Sequence, residues 1–207
     1  MGFRLNHGSA AIPLLIFLIA IMFIALTATS LIANDTISTE EDLQKYVDDA
    51  VNDISSYLKI QHVFGSFSEN SPYAISKIAI QSTPLFHQDI NISNLIIQVQ
   101  TATDLRLFTF SSNITSLTSG GVFSHQHWNN LSTNQFGILS IKDIDNSLLD
   151  HQSFSEPSDI AFFTLSVEEL SIKKGDDVTI VLSPGVGIEK SIFFKTPLPI
   201  DKIVNLW

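Results

Sequence analysis

The chain contains no cysteine, so neither disulfides nor thiolate metal sites can hold it together. That absence suits both sides of a membrane and leaves the redox compartment open. Positive charge is scarce too. Eleven Lys and Arg stand against 21 Asp and Glu, a net charge of −10. Such a balance repels nucleic acid and anionic lipid headgroups and argues against nucleic-acid binding. Catalytic signatures are missing: there is no Gly-x-Ser-x-Gly elbow, no P-loop and no Gly-x-Gly-x-x-Gly. No cofactor is expected, and the chain does not read as an enzyme.

Charge of either sign is absent between Arg4 and Asp35. Within that window Ala10 to Leu26 is an unbroken run of 17 apolar residues, extended by Thr27–Ala33 with only small hydroxyls. A helix needs about 20 such residues to cross a bilayer core, so this stretch can span one. Pro13 falls in the first turn of a helix starting near Ile12, where its missing N–H costs little. Arg4 precedes the run, and Asp35, Glu40, Glu41 and Asp42 follow it. By the positive-inside bias the N-terminus stays cytoplasmic and the remainder faces outward. Three readings fit the segment: a cleaved secretory signal, a permanent anchor, and a class III (prepilin-like) signal cut before the run. Gly8–Ser9 suits the third, with a small residue on each side of the bond.

At these residues the sequence resembles archaellin, the archaeal flagellin. From Ser9, the stretch SAAIPLLIFLIAIMFIA aligns without gaps on the mature head of that family, with Ile12, Leu15, Ile16, Ile19, Ala20 and Ala25 at matching positions. Ile75–Val99 looks like the family's strand pair, joined through Asp89-Ile90-Asn91-Ile92-Ser93. The end, from Gly175-Asp176-Asp177 to Leu206-Trp207, looks like its closing strands. Two departures are His7, where the family carries Lys or Arg, and Ala11 and Pro13, where it favours glycine. The resemblance implies a structural subunit of the archaellum filament, used for swimming. It would be cut between Gly8 and Ser9 and assembled through a helical core of Ile12, Leu15, Ile16, Ile19, Ala20, Phe23 and Ala25. It also implies a prepilin-type peptidase and the archaellum assembly machinery as partners, and N-glycosylation. An adhesive pilin and a membrane-anchored, envelope-binding accessory protein of the archaellum are the alternatives.

The expected class is α+β: a long hydrophobic N-terminal helix followed by an all-β, immunoglobulin-like sandwich. A signal peptide would occupy 1–8, the helix 9–64 with a kink near 34–38, and the extracellular domain 65–207. Ser38–Glu41 has capping-box spacing. After it, Leu43, Tyr46, Val47, Ala50, Ile54, Tyr57 and Leu58 recur at helical steps, opposite Asp42, Asp48, Asp49 and Asp53. Gly65 to Pro72 mark the boundary, beyond which the period falls towards two. Expected strands are 73–82, 94–100, 105–111, 121–124, 136–141, 159–167, 177–183, 188–195 and 200–206, separated by Gly- and Pro-containing turns. Twelve of the 15 phenylalanines fall at or after Phe64, enough aromatic volume for one sandwich core.

Three features invite chemistry. His125-Gln126-His127 would put two imidazoles on one face of a strand; lacking a third ligand nearby, they read as solvent-exposed histidines. Asp143, Asp145 and Asp150 form an acidic group that reads first as a solvated loop and second as a divalent-cation site, since hard cations want several oxygens. Asn34, Asn91, Asn113 and Asn130 begin Asn-x-Ser/Thr sequons and are candidate glycosylation sites.

Overall fold

In the computed structural model the structure describes residues 17–22, 44–47, 50, 57–68, 74–87, 89–185 and 187–207. Residues 17–22 and 44–47 are helical. Among the described residues no helix is long and apolar enough to cross a membrane. Most of the apolar run, the capping box and the kink expected near 34–38 lie outside them. The chain divides into two units, 1–50 and 51–207.

The second unit is built from strands β1 (Leu58–Phe67), β2 (Ala74–Pro84), β3 (Ile90–Asn91), β4 (Ile96–Gln100), β5 (Leu105–Ser116) and β6 (Gln135–Lys142). These are followed by β7 (Ser153–Phe154), β8 (Ile160–Ser166), β9 (Ile172–Lys173), β10 (Asp177–Ser183), β11 (Lys190–Lys195) and β12 (Ile203–Asn205). A short helix, α1 (Ser147–His151), and four 3-10 turns complete the described elements.

The result is sandwich-like, but the two leaves are one continuous sheet. Its order is β11-β10-β4-β5-β6-β8-β2-β1-β12, with β9 added beside β2, while β3 and β7 pair separately. The corner lies in β5. Residues Leu105–Thr109 pair antiparallel with β4, while Thr109–Phe110 and then Ile114–Ser116 pair parallel with β6. Between them the register breaks after Phe110, and Ser112 adopts φ 58°, the left-handed region. A bulge of this kind bends a strand and lets it pass from one leaf to the other.

Both leaves send alternate side chains into a single core. Ile97, Val99, Phe108, Val178, Ile180, Ile192 and Phe194 enter from one side, and Val63, Ile78, Ile80, Phe136, Ile138, Phe163 and Leu165 from the other. Phe163 meets Phe136 and Phe154 edge-on at centroid distances of 5.7 and 5.9 Å, the favoured aromatic geometry.

Three expectations are corrected. The helix expected to reach residue 64 has given way to strand by Leu58. Gly65 is not a boundary but a mid-strand residue, and a Cβ there would stand 2.9 Å from Leu206 Cδ1. Residues 121–124 are not a strand, because Val122–Ser124 form a 3-10 turn.

Candidate functional site

The outer face of the β6–β8 leaf is covered by the chain's own segment 117–131. Ala79, Leu139 and Phe162 form a small second cluster there, against Leu117, Val122 and Phe123. Phe123 stacks on Trp128 at 5.8 Å, and the Trp128 indole donates to the Val122 carbonyl at 2.8 Å. Lys77 places its ammonium 5.0 Å above the Trp128 ring.

His127 pins this cover to the sheet. It is 1% exposed, on a 3-10 turn, so it is neither solvent-facing nor on a strand. Its Nε2 lies 3.0 Å from Thr164 Oγ1 and its Nδ1 3.3 Å from Thr115 Oγ1. The Thr164 hydroxyl in turn donates to the Gly137 carbonyl. The ring rests on Gly137, where any Cβ would collide with Nε2. Both ring nitrogens are thus engaged inside the domain, which suits a packing role. Burial, and secondarily the neighbouring His125, lower the His127 pKa from 6.5 to about 4.

A second convergence lies where β6 ends and β8 begins. Asp143, Asp145 and Asp159 bring carboxylate oxygens within 4.8 Å of one another. Asp159 replaces Asp150, which sits exposed on α1 outside this group. Backbone amides hold the trio in place. Asp159 Oδ2 accepts from the Ser155 and Glu156 N–H groups at 3.1 and 3.0 Å, and Asp143 Oδ2 from Leu149 N–H at 3.2 Å. Asp145 accepts from Ser155 Oγ at 2.6 Å and Ser147 N–H at 3.1 Å. Those bonds hold the Asp145 carboxyl down at about 2, whereas burial pushes Asp143 up.

Asp159 is wholly buried, yet its Oδ1 has no hydrogen-bond partner, and neither has the buried Oδ1 of Asp143. A buried carboxylate oxygen left without a partner is costly, and a bound cation would offset that cost. Three hard oxygens with two lone-pair-bearing atoms unspent could hold a divalent cation of the Ca²⁺ type. Nothing in the sequence spacing announces Asp159; the nearest cue is the Glu156-Pro157-Ser158 turn that precedes it.

The other predicted residues separate into groups. Asn91 and Asn130 are exposed, whereas Asn113 has its Nδ2 buried in the domain. Ile19 and Ala20 lie on the exposed helical segment 17–22. Gly8, Ser9, Ile12, Leu15, Ile16, Phe23, Ala25 and Asn34 lie outside the described residues. An open cleft of about 510 Å³ is lined by Ser66, Ser76, Lys77, Phe123, Glu168 and Lys202 among others. Its Ser76 hydroxyl is committed to the Ser66 carbonyl at 3.3 Å.

No family model matches the chain. It is 22% identical over 147 residues to flagellin B3 of Methanocaldococcus jannaschii, covering 69% of this chain and 67% of that one. Flagellin B5 of Pyrococcus abyssi is 24% identical over 160 residues, covering 72% of each. Among solved structures, archaeal flagellin FlaB1 of M. jannaschii superposes with a TM-score of 0.64 at 21% identity, over 72% of this chain and 95% of that one. The chain is archaellin-like in sequence and in fold. The archaeal flagellum of Methanospirillum hungatei strain JF1 also shares the archaellin fold, with a TM-score of 0.59 at 9% identity. That likeness covers 90% of this chain and 93% of the other. The β-domain therefore shares its fold in outline with archaeal flagellins.

Proposed function

We propose that this chain is a structural subunit of the archaellum filament, with no catalytic role. The carrying observation is that the β-domain matches the fold of an archaeal flagellin along nearly that protein's whole length. The apolar, charge-free segment ahead of it supplies what a polymer core needs. On this reading the immunoglobulin-like sandwich faces outward and residues 9 to about 33 form one long helix. In the membrane that helix already lies in an apolar solvent, so its transfer to a filament gains little hydrophobic free energy. Packing between helices must supply the preference, and Ala10, Ala11, Ala20, Ala25, Ala28 and Ser30 provide small surfaces for close approach. A head-to-tail contact that does not close on itself yields an open helical polymer.

Cleavage between Gly8 and Ser9 by a prepilin-type peptidase removes Arg4 and releases the helix from the cytoplasmic face, changing the net charge from −10 to −11. The assembly machinery then adds the subunit to a cell-surface filament. The precursor waits in the cytoplasmic membrane with its N-terminus inside. Asn91 and Asn130, both exposed, are the acceptors we assign for N-glycosylation in the described domain. The acidic trio serves the same structural end: a divalent cation there would tie the β6 end, α1 and the β8 start together.

Negative-stain microscopy of a sheared cell-surface fraction, with and without the gene, tests the proposal. Filaments that vanish with the gene, together with swimming, are expected. Protein found only as dispersed membrane species would point instead to the anchored accessory protein, and loss of attachment with swimming intact would point to the adhesive pilin.

A further inference from the structure

The two outer faces of the domain are treated differently. The β6–β8 face is covered by the chain's own segment 117–131, as described above. The outer face of β11-β10-β4-β5 has no such cover among the described residues, and it carries large apolar side chains.

The register defines its composition. Phe193, Thr179, Gln100 and Leu105 stand opposite one another across the four strands. Ser191, Val181, Gln98 and Leu107 form the next row. Ser183, Ile96 and Thr109 form the third. None of these side chains is charged. Charge appears only at the rim, where Asp177 and Lys195 face each other at one end and Glu189 accepts a 2.6 Å hydrogen bond from Ser183 at the other. Phe193 is 64% exposed, Leu105 52%, Leu107 51% and Ile96 41%.

We infer that this face is a subunit–subunit contact, and that its occupant is the outer domain of a second copy of this chain. The inference rests on the filament reading and adds to it where neighbouring β-domains touch. Charge supports the assignment. Copies of a chain with a net charge of −10 repel one another, so like copies approach most cheaply where neither local charge nor desolvation of charge is required.

Size supports it as well. Four strands about 4.8 Å apart and three rows about 7 Å apart make a face on the order of 400 Å². A free-standing interface needs about 800 Å² from each partner. The face is therefore about half of what would hold two copies together alone, and fits a contact made in concert with a helical core. The exposed sequons at Asn91 and Asn130 lie off the face, on β3 and on the covering segment.

The absence of cysteine from the parent chain allows a direct test. Gln98→Cys and Ser191→Cys, made singly in the full chain, are treated with a bulky maleimide in two samples: purified filaments, and subunits dissociated from them in mild detergent. Labelling of the dissociated subunits and its loss in filaments is expected. In parallel, Leu107→Glu is expected to keep the parent's melting temperature and to form no filaments. Equal labelling in both samples, or normal filaments from Leu107→Glu, overturns the contact while leaving the filament reading intact. Protection in the dissociated subunits as well means that the chain's own segment covers the face, which also overturns it. A parent chain that forms no filaments overturns the filament reading itself.

Discussion

His127 converts acidity into loss of stability. Its folded-state pKa of about 4 lies below the usual 6.5, so between those values the unfolded chain binds the extra proton and the folded chain does not. The contribution is full above pH 6.5 and is lost progressively as pH falls towards 4. Thermal melts of His127→Gln across this interval should show a shallower fall in Tm with acid than the parent, at the cost of a lower Tm at pH 8. Parallel pH profiles would mean that the ring is not held neutral. Gly137 is the seat of that ring, and Gly137→Ala should unseat it and destabilise the domain by about 1–3 kcal/mol, the usual range for overpacking, read as a lowered denaturant midpoint.

The acidic trio makes a residue-scale prediction of opposite kind. Calcium should raise the Tm of the parent domain in a concentration-dependent way, as any ligand of the folded state alone must. Asp159→Asn, which keeps the shape and relieves the buried charge, should abolish that response. A calcium shift unchanged in Asp159→Asn would place the cation elsewhere. The pair Asp143 and Asp145 was legible from sequence as an acidic group, but its third member was not. Asp159 lies 14 positions beyond Asp145 on another strand's lead-in, and only the fold brings them together.

At the scale of elements, period and punctuation carried most of the information. Asp177–Ser183 has the expected limits because its buried residues Val178, Ile180 and Leu182 alternate cleanly between turns. The first strand was hidden for a physical reason. Its alternation changes phase at the bulge between Ile60 and His62, passing from Leu58 and Ile60 to Val63, Gly65 and Phe67. The helical spacing that precedes it runs into that broken pattern. Gly65 then reads as punctuation, although its place is set by the packing of Leu206. Residues 121–124 failed as a strand because Val122 and Phe123 satisfy their apolar character by covering another strand's outer face. The cover is an element in its own right. Trp128→Ala removes the stacking partner of Phe123 and the support under Lys77, and should cost about 3 kcal/mol or more. The loss should appear as early hydrogen exchange across 117–131, before the inner core opens.

Across the whole molecule, an apolar segment suited to helix packing precedes a β-rich part that forms a separate compact unit. The two parts should therefore fail separately. Ile19→Asp or Ala20→Asp should abolish assembly, because a buried charge in a helical core is left unpaired, while the β-domain keeps its melting temperature. Filaments of normal length from either variant would contradict a helical core. The sandwich class and the archaellin likeness were legible from the sequence. The single continuous sheet, its corner at Ser112 and the bare outer face were not, because they depend on strand order and no local period encodes it.

The most direct test is the N-terminal sequence and intact mass of the protein in a sheared-filament fraction. The expected result is a start at Ser9 and a mass above that of the bare polypeptide by the glycan on Asn91 or Asn130. A start at Met1, with the protein confined to membranes and absent from filaments, would contradict it.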